Sequence, residues 1–128
     1  MNKLSIALTF CLAAFATSAF AETKLWQVTE ETDANIKYGQ GSWKVTKEGD
    51  KITGTADIMD DVGNTTTYKL EGTVAGTNYT VNLVDRTDGK KGCVWNGHVP
   101  SPSGVQTKGL AGWAQCDGQK IIIRAYTD

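Results

Sequence analysis

The chain has 128 residues, and the first 21 read as a removable leader, which leaves 128 − 21 = 107 for one small domain. Past the leader there are 12 Lys+Arg against 14 Asp+Glu, no Phe, four Trp, four Tyr, two Cys and all 14 Gly. That size excludes a two-domain enzyme, a dinucleotide-binding fold and an α/β barrel, and the slight net acidity makes a poor electrostatic partner for nucleic acid or anionic lipid.

Residues 1–21 carry one cation, Lys3, then an apolar run from Leu4 to about Phe15, and end on Ala19-Phe20-Ala21. Small residues at the first and last of those three positions suit a signal peptidase, and the apolar run is too short to span a bilayer. Cleavage before Glu22 is expected, giving a periplasmic or secreted product with no membrane span. In an oxidising compartment the two remaining thiols, Cys93 and Cys116, are expected to form a disulfide. Closing a loop of that length stabilises by roughly 3–4 kcal/mol in the chain-entropy model.

The remaining chain is rich in Thr and Val, broken at short intervals by Gly, Asn and Asp, a strand-and-turn composition without helical period. Eight strands are predicted, at about 23–29, 42–47, 51–59, 65–74, 79–85, 93–99, 106–116 and 119–126. Between them lie Glu48-Gly49-Asp50, Asp61-Val62-Gly63-Asn64, Ala75-Gly76-Thr77-Asn78, Asp88-Gly89 and Asp117-Gly118, all able to turn the chain.

The turns set registers. A two-residue turn at Asp117-Gly118 pairs Ala114 with Ile121 and Gly112 with Ile123. Placing Cys93 opposite Cys116 pairs Trp95 with Ala114 and Gly97 with Gly112, and centres the connection on Ser103-Gly104. A turn at Ala75–Asn78 pairs Val74 with Tyr79, Gly72 with Val81 and Leu70 with Leu83. Alternation then collects Trp95, Val99, Leu110, Ala114, Ile121, Ile123 and Ala125 on one face, which must be core. The expected architecture is all-β: a small antiparallel eight-stranded up-and-down β-barrel with one disulfide, the alternative being a β-sandwich. Core-face glycines at 54, 72, 97 and 112 fit sharp strand coiling, or else room for a ligand inside.

No catalytic constellation or cofactor site is recognised. His98, the single histidine, is expected to face outward opposite Ala111, and the nearby Pro-Ser loop is a poor support for a nucleophile. The Asp57–Asn64 loop holds Asp57, Asp60, Asp61 and Asn64, but its spacing does not match a calcium loop, and an ordinary acidic turn is expected. Arg86 with Lys90-Lys91 reads as a solvated basic loop.

Two surfaces stand out. Val94, Trp113, Ile122 and Tyr126 are expected to point away from the core with Lys120 and Arg124 among them, inviting a partner unless the N-terminal strand or the Asp33–Gln40 segment covers them. The binding set on this face is Trp113, Ile122, Arg124 and Tyr126. The second surface is the 100–108 hairpin tip, with Ser101, Ser103 and Lys108.

Gly41-Ser42-Trp43, Ile52-Thr53-Gly54-Thr55 and Leu70-Glu71-Gly72-Thr73 resemble the opening strands of avidin-type barrels, although the biotin-contacting set has no counterpart here. Ser101-Pro102-Ser103-Gly104 and Thr107-Lys108-Gly109 resemble two short motifs of periplasmic C-type lysozyme inhibitors, without the aromatic residue that follows the first and with cysteines placed differently. The expected function is an exported non-catalytic binding protein that recognises a protein or small ligand through the sheet face or the barrel mouth. A second copy of the chain is among the candidate partners. The alternative is a hydrolase inhibitor acting through the 100–108 tip, which the second resemblance implies.

Overall fold

The computed structural model describes residues 21–99 and 109–127. Eight strands run β1 (Glu22–Thr32), β2 (Lys37–Glu48), β3 (Lys51–Asp60), β4 (Thr65–Ala75), β5 (Asn78–Val84), β6 (Cys93–His98), β7 (Gly109–Cys116) and β8 (Gln119–Tyr126). Each pairs antiparallel with the next, and β8 pairs with β1, so the sheet closes into a barrel. Closure rather than a second packed sheet settles the architecture.

The registers follow the turn chemistry. Ala114 faces Ile121 and Gly112 faces Ile123 across β7–β8. Trp95 faces Ala114 and Gly97 faces Gly112 across β6–β7. Val74–Tyr79, Gly72–Val81 and Leu70–Leu83 pair across β4–β5. At the β7–β8 turn both Asp117 and Gly118 have positive φ, 45° and 81°, the requirement for the tight turn that matches strand twist. Cys93 and Cys116 are bonded, with Cα atoms 4.0 Å apart. The bond ties the β6–β7 pair at the end away from the 100–108 connection, so a whole strand length separates the two.

Side chains fill the interior. Trp43 is 1% exposed and Trp95 is fully buried. Their rings meet edge to face at 5.1 Å, and Trp26 is stacked 6.1 Å from Trp43. Trp95 Nε1 donates to the Ile123 carbonyl at 3.2 Å, and Trp43 Nε1 donates to the Tyr68 hydroxyl at 3.0 Å, so neither indole is left unsatisfied. The core-face glycines serve curvature. A Cβ on Gly112 would lie 1.8 Å from the Asn96 carbonyl oxygen, and one on Gly97 would strike the Trp95 ring at 2.1 Å. The strands coil so tightly here that only hydrogen fits between them, which is how eight strands close around three indoles.

Outward positions carry Lys, Thr, Glu, Asn and Gln, and inward ones are mostly apolar. That polarity is the reverse of a lipid-facing barrel. Among the described residues no helix is long and apolar enough to cross a membrane.

Candidate functional site

Three regions could carry function: a charged cluster sealed inside one end of the barrel, the outer wall of β7–β8, and a groove over β1–β3.

The internal cluster centres on Glu30, which is 0% exposed. Alternation along β1 sends Trp26, Val28 and Glu30 inward, so the carboxylate ends up where an apolar residue would be expected. Arg86 Nη2 donates to its Oε1 at 3.1 Å, and Arg86 Nη1 donates to its Oε2 at 3.4 Å. The Tyr68 hydroxyl donates to Oε2 at 2.5 Å and the Tyr38 hydroxyl to Oε1 at 2.8 Å. Tyr38 reaches it because β2 bulges: the register shifts between Glu30 and Glu31, so Lys37 faces Glu31 while Tyr38 has no partner of its own. The Arg86 guanidinium lies 4.4 Å from the Tyr68 ring centroid and also donates to Asp88, from Nε at 3.0 Å and Nη2 at 2.7 Å.

Arg86, Asp88, Tyr38 and Tyr68 titrate away from their ordinary ranges. Burial opposes the Arg86 charge, but the Asp88 and Glu30 hydrogen bonds outweigh it and hold the guanidinium charged. Burial pushes Asp88 upward, yet the Arg86 hydrogen bond and the Lys90 amide prevail and bring it down to about 2. Burial, then the Glu30 charge, pushes the Tyr38 and Tyr68 hydroxyls upward. Every buried side-chain nitrogen and oxygen among the described residues has a hydrogen-bond partner. The buried polar atoms of the cluster are therefore all satisfied.

This corrects the reading of Arg86 as part of a solvated basic loop. Arg86 is 7% exposed; the fold turns it inward to neutralise Glu30, and Lys90 and Lys91 stay on the outer turn. Sequence reasoning missed Glu30 as well, although its position in the inward register of β1 was the available signal.

On the outer wall, Trp113 is 51% and Tyr126 52% exposed. Trp113 faces Ile122 on β8 and Asn96 on β6. The N-terminal strand does not cover this face: β1 pairs edge to edge with β8, from Gln27–Tyr126 to Thr32–Ile121. Nor does the 33–40 segment, because Lys37–Gln40 is part of β2, two strands from β8. The Lys120 ammonium sits 3.4 Å from the Trp113 ring centroid, and Arg124 Nε donates to Glu31 Oε2 at 2.8 Å. Trp113, Ile122, Arg124 and Tyr126 thus share one face, as the alternation implied. Cys93 and Cys116 lie on the opposite, inward side.

Tyr126 continues onto the third region, a groove of about 750 Å³ over the outer faces of β1, β2 and β3. Gln27, Thr29 and Gln40 line it, with Asp57, Met59 and Tyr126. Lys37 Nζ donates to Gln40 Oε1 at 2.8 Å, which orients that amide. Below it, Asp60 Oδ1 accepts from the Val62 and Asn64 amides at 3.0 and 2.8 Å. The Asn64 amide bond is the main cause of an Asp60 carboxyl below its ordinary range. That carboxylate caps its own turn, as an ordinary acidic turn would. Among the described residues no three His, Cys, Asp or Glu side chains are grouped to hold a metal ion.

His98 is exposed and faces Ala111, with Nδ1 3.0 Å from the Val99 carbonyl oxygen. Ser101, Ser103 and Lys108 lie outside the described residues.

No family model, curated protein or solved structure matches this chain.

Proposed function

We propose that the protein is an exported, non-catalytic binding protein that engages its partner through the outer wall of β7 and β8. The observation that carries this reading is the half-exposed Trp113 beside Ile122, an apolar pair uncovered on a barrel whose other three indoles are buried. The filled interior supports it further: with Trp43 and Trp95 packed across the middle, recognition falls to the wall rather than the barrel mouth. Export rests on the leader-like residues 1–21 and agrees with the Cys93–Cys116 bond.

The test is capture from a periplasmic or culture-fluid extract on immobilised protein spanning residues 22–128, compared with Trp113→Ala. Loss of the captured partner with Trp113→Ala, while Ser103→Ala/Lys108→Ala still captures it, supports the wall. The opposite pattern would move the function to the 100–108 connection and to the inhibitor alternative.

A further inference from the structure

The wall around Trp113 and the groove over β1–β3 carry opposite charge. No Asp or Glu lies within β5–β8. The charges beside Trp113 are Lys120, whose ammonium rests on the ring, and Arg124, which is paired with Glu31. Lys120 has no carboxylate partner among the described residues. The wall therefore offers an indole and an aliphatic neighbour, Ile122, with one uncompensated cation on top.

The groove is the counterpart. Asp57, Asp60 and Asp61 line it against a single cation, Lys37, whose ammonium is turned to Gln40. Asp57 and Asp61 form no salt bridge among the described residues. Met59, 55% exposed, and Tyr126 give the groove apolar surface, and a thioether suits an aromatic ring. The groove is concave and large enough to admit an indole, whereas Trp113 projects from a convex wall. One barrel cannot fill its own groove this way, because β8 separates β7 from β1 and the two surfaces point in different directions. A two-fold pairing of Trp113 faces would set Lys120 against Lys120, with no acid in those strands to compensate.

We propose that the protein self-associates head to tail, the Trp113 indole of one copy entering the groove of the next against Met59 and Tyr126, with Lys120 facing Asp57 and Asp61. The proposal rests on the β7–β8 wall being the binding surface and names its occupant. Lys120 travels with the ring it rests on, so its existing contact is kept. Two different surfaces meet, so each added copy presents a fresh groove or a fresh indole until the chain of copies closes on itself.

The test is sedimentation equilibrium of protein spanning residues 22–128, up to about 1 mM, where weak contacts are populated. The weight-average mass is expected to climb with concentration and to fall back in high salt. Trp113→Ala and Asp57→Lys/Asp61→Lys should each weaken association roughly tenfold or more. Mixing those two variants should restore a one-to-one pair that grows no further, since one retains only the groove and the other only the indole. Lys120→Glu weakens association, and combining it with Asp57→Lys/Asp61→Lys in one chain restores it. Unchanged circular dichroism shows that the variants remain folded. A mass that stays monomeric throughout overturns the proposal. Association lost with Trp113→Ala but kept by Asp57→Lys/Asp61→Lys also overturns it, in favour of the two-fold pairing, as does failure of the mixed variants to pair. If the protein never self-associates while Trp113→Ala still abolishes capture of a different protein, the occupant fails and the binding face stands.

Discussion

Arg86 donates to Glu30 from 56 positions away, at 3.1 Å, with each side chain 1% exposed. A charge pair so enclosed is a weak source of net stability, because desolvation opposes its attraction, yet breaking it leaves one charge stranded. Arg86→Ala is expected to destabilise by about 3–5 kcal/mol. The double variant Glu30→Met/Arg86→Met should lose less than Arg86→Met alone, since it leaves no buried carboxylate at position 30, and the Tyr38 and Tyr68 hydroxyls that lose their acceptor are neutral. Urea titrations of the set measure both.

Acid should expose the same cluster through Asp88. Its folded-state value, about 2, lies below the ordinary 3.8, so its contribution is present above pH 3.8 and fades as the pH falls through about 2. The stability–pH curve between pH 4 and 2 is expected to be shallower in Asp88→Asn. An identical slope in both proteins would show that Asp88 does not report on the cluster.

Alkali acts in the opposite sense. The Tyr38 and Tyr68 hydroxyls are raised above 10.0, so the folded state retains protons that the unfolded chain releases. Stability is therefore full below pH 10 and declines as the pH climbs beyond it. Tyrosinate absorbance near 295 nm should rise in two steps, the second coinciding with loss of the folded circular dichroism signal.

Curvature has its own test. Gly112→Ala forces a methyl group to within 1.8 Å of the Asn96 carbonyl oxygen, a clash with backbone that cannot swing away. A loss of about 3 kcal/mol, at the upper end of overpacking costs, or failure to fold is expected. Ala111→Gly, one position away on the outer surface, should cost far less. Thermal melts of the pair separate the two outcomes.

The disulfide closes a loop with a sequence separation of 23. Cys93→Ala/Cys116→Ala is expected to lose roughly 3–4 kcal/mol, read from guanidinium unfolding. The β7–β8 face is remote from this change in orientation, since both sulfurs lie inside, so any ligand of Trp113 should still bind below the lowered melting temperature.

The barrel was legible because local signals agreed. Asp117-Gly118 set one hairpin and Ala75–Asn78 another, and the registers they imply place Trp95, Leu70 and Ile123 on a common side, where they are found. Trp113 and Tyr126 followed as outward residues from the same alternation. Glu30 and Arg86 did not follow. Each looks like a surface charge in isolation, and only the closing of the sheet brings them face to face. Tyr38 escaped for a related reason: a one-residue bulge changes which way a side chain points, and nothing in its neighbours' composition announces that. The groove was hidden because concavity on an outer wall depends on strand coiling.

Because β8 is the strand that joins β1, the ring can seal only after residues 119–126 have arrived. Until then β1 offers one bare hydrogen-bonding flank. A chain made N-terminus first would remain open until β8 is released. A chain cut short before β8 would leave the flank of β1 that now pairs with Tyr126–Ile121 without its partner, an exposed edge of the kind that invites pairing with other strands.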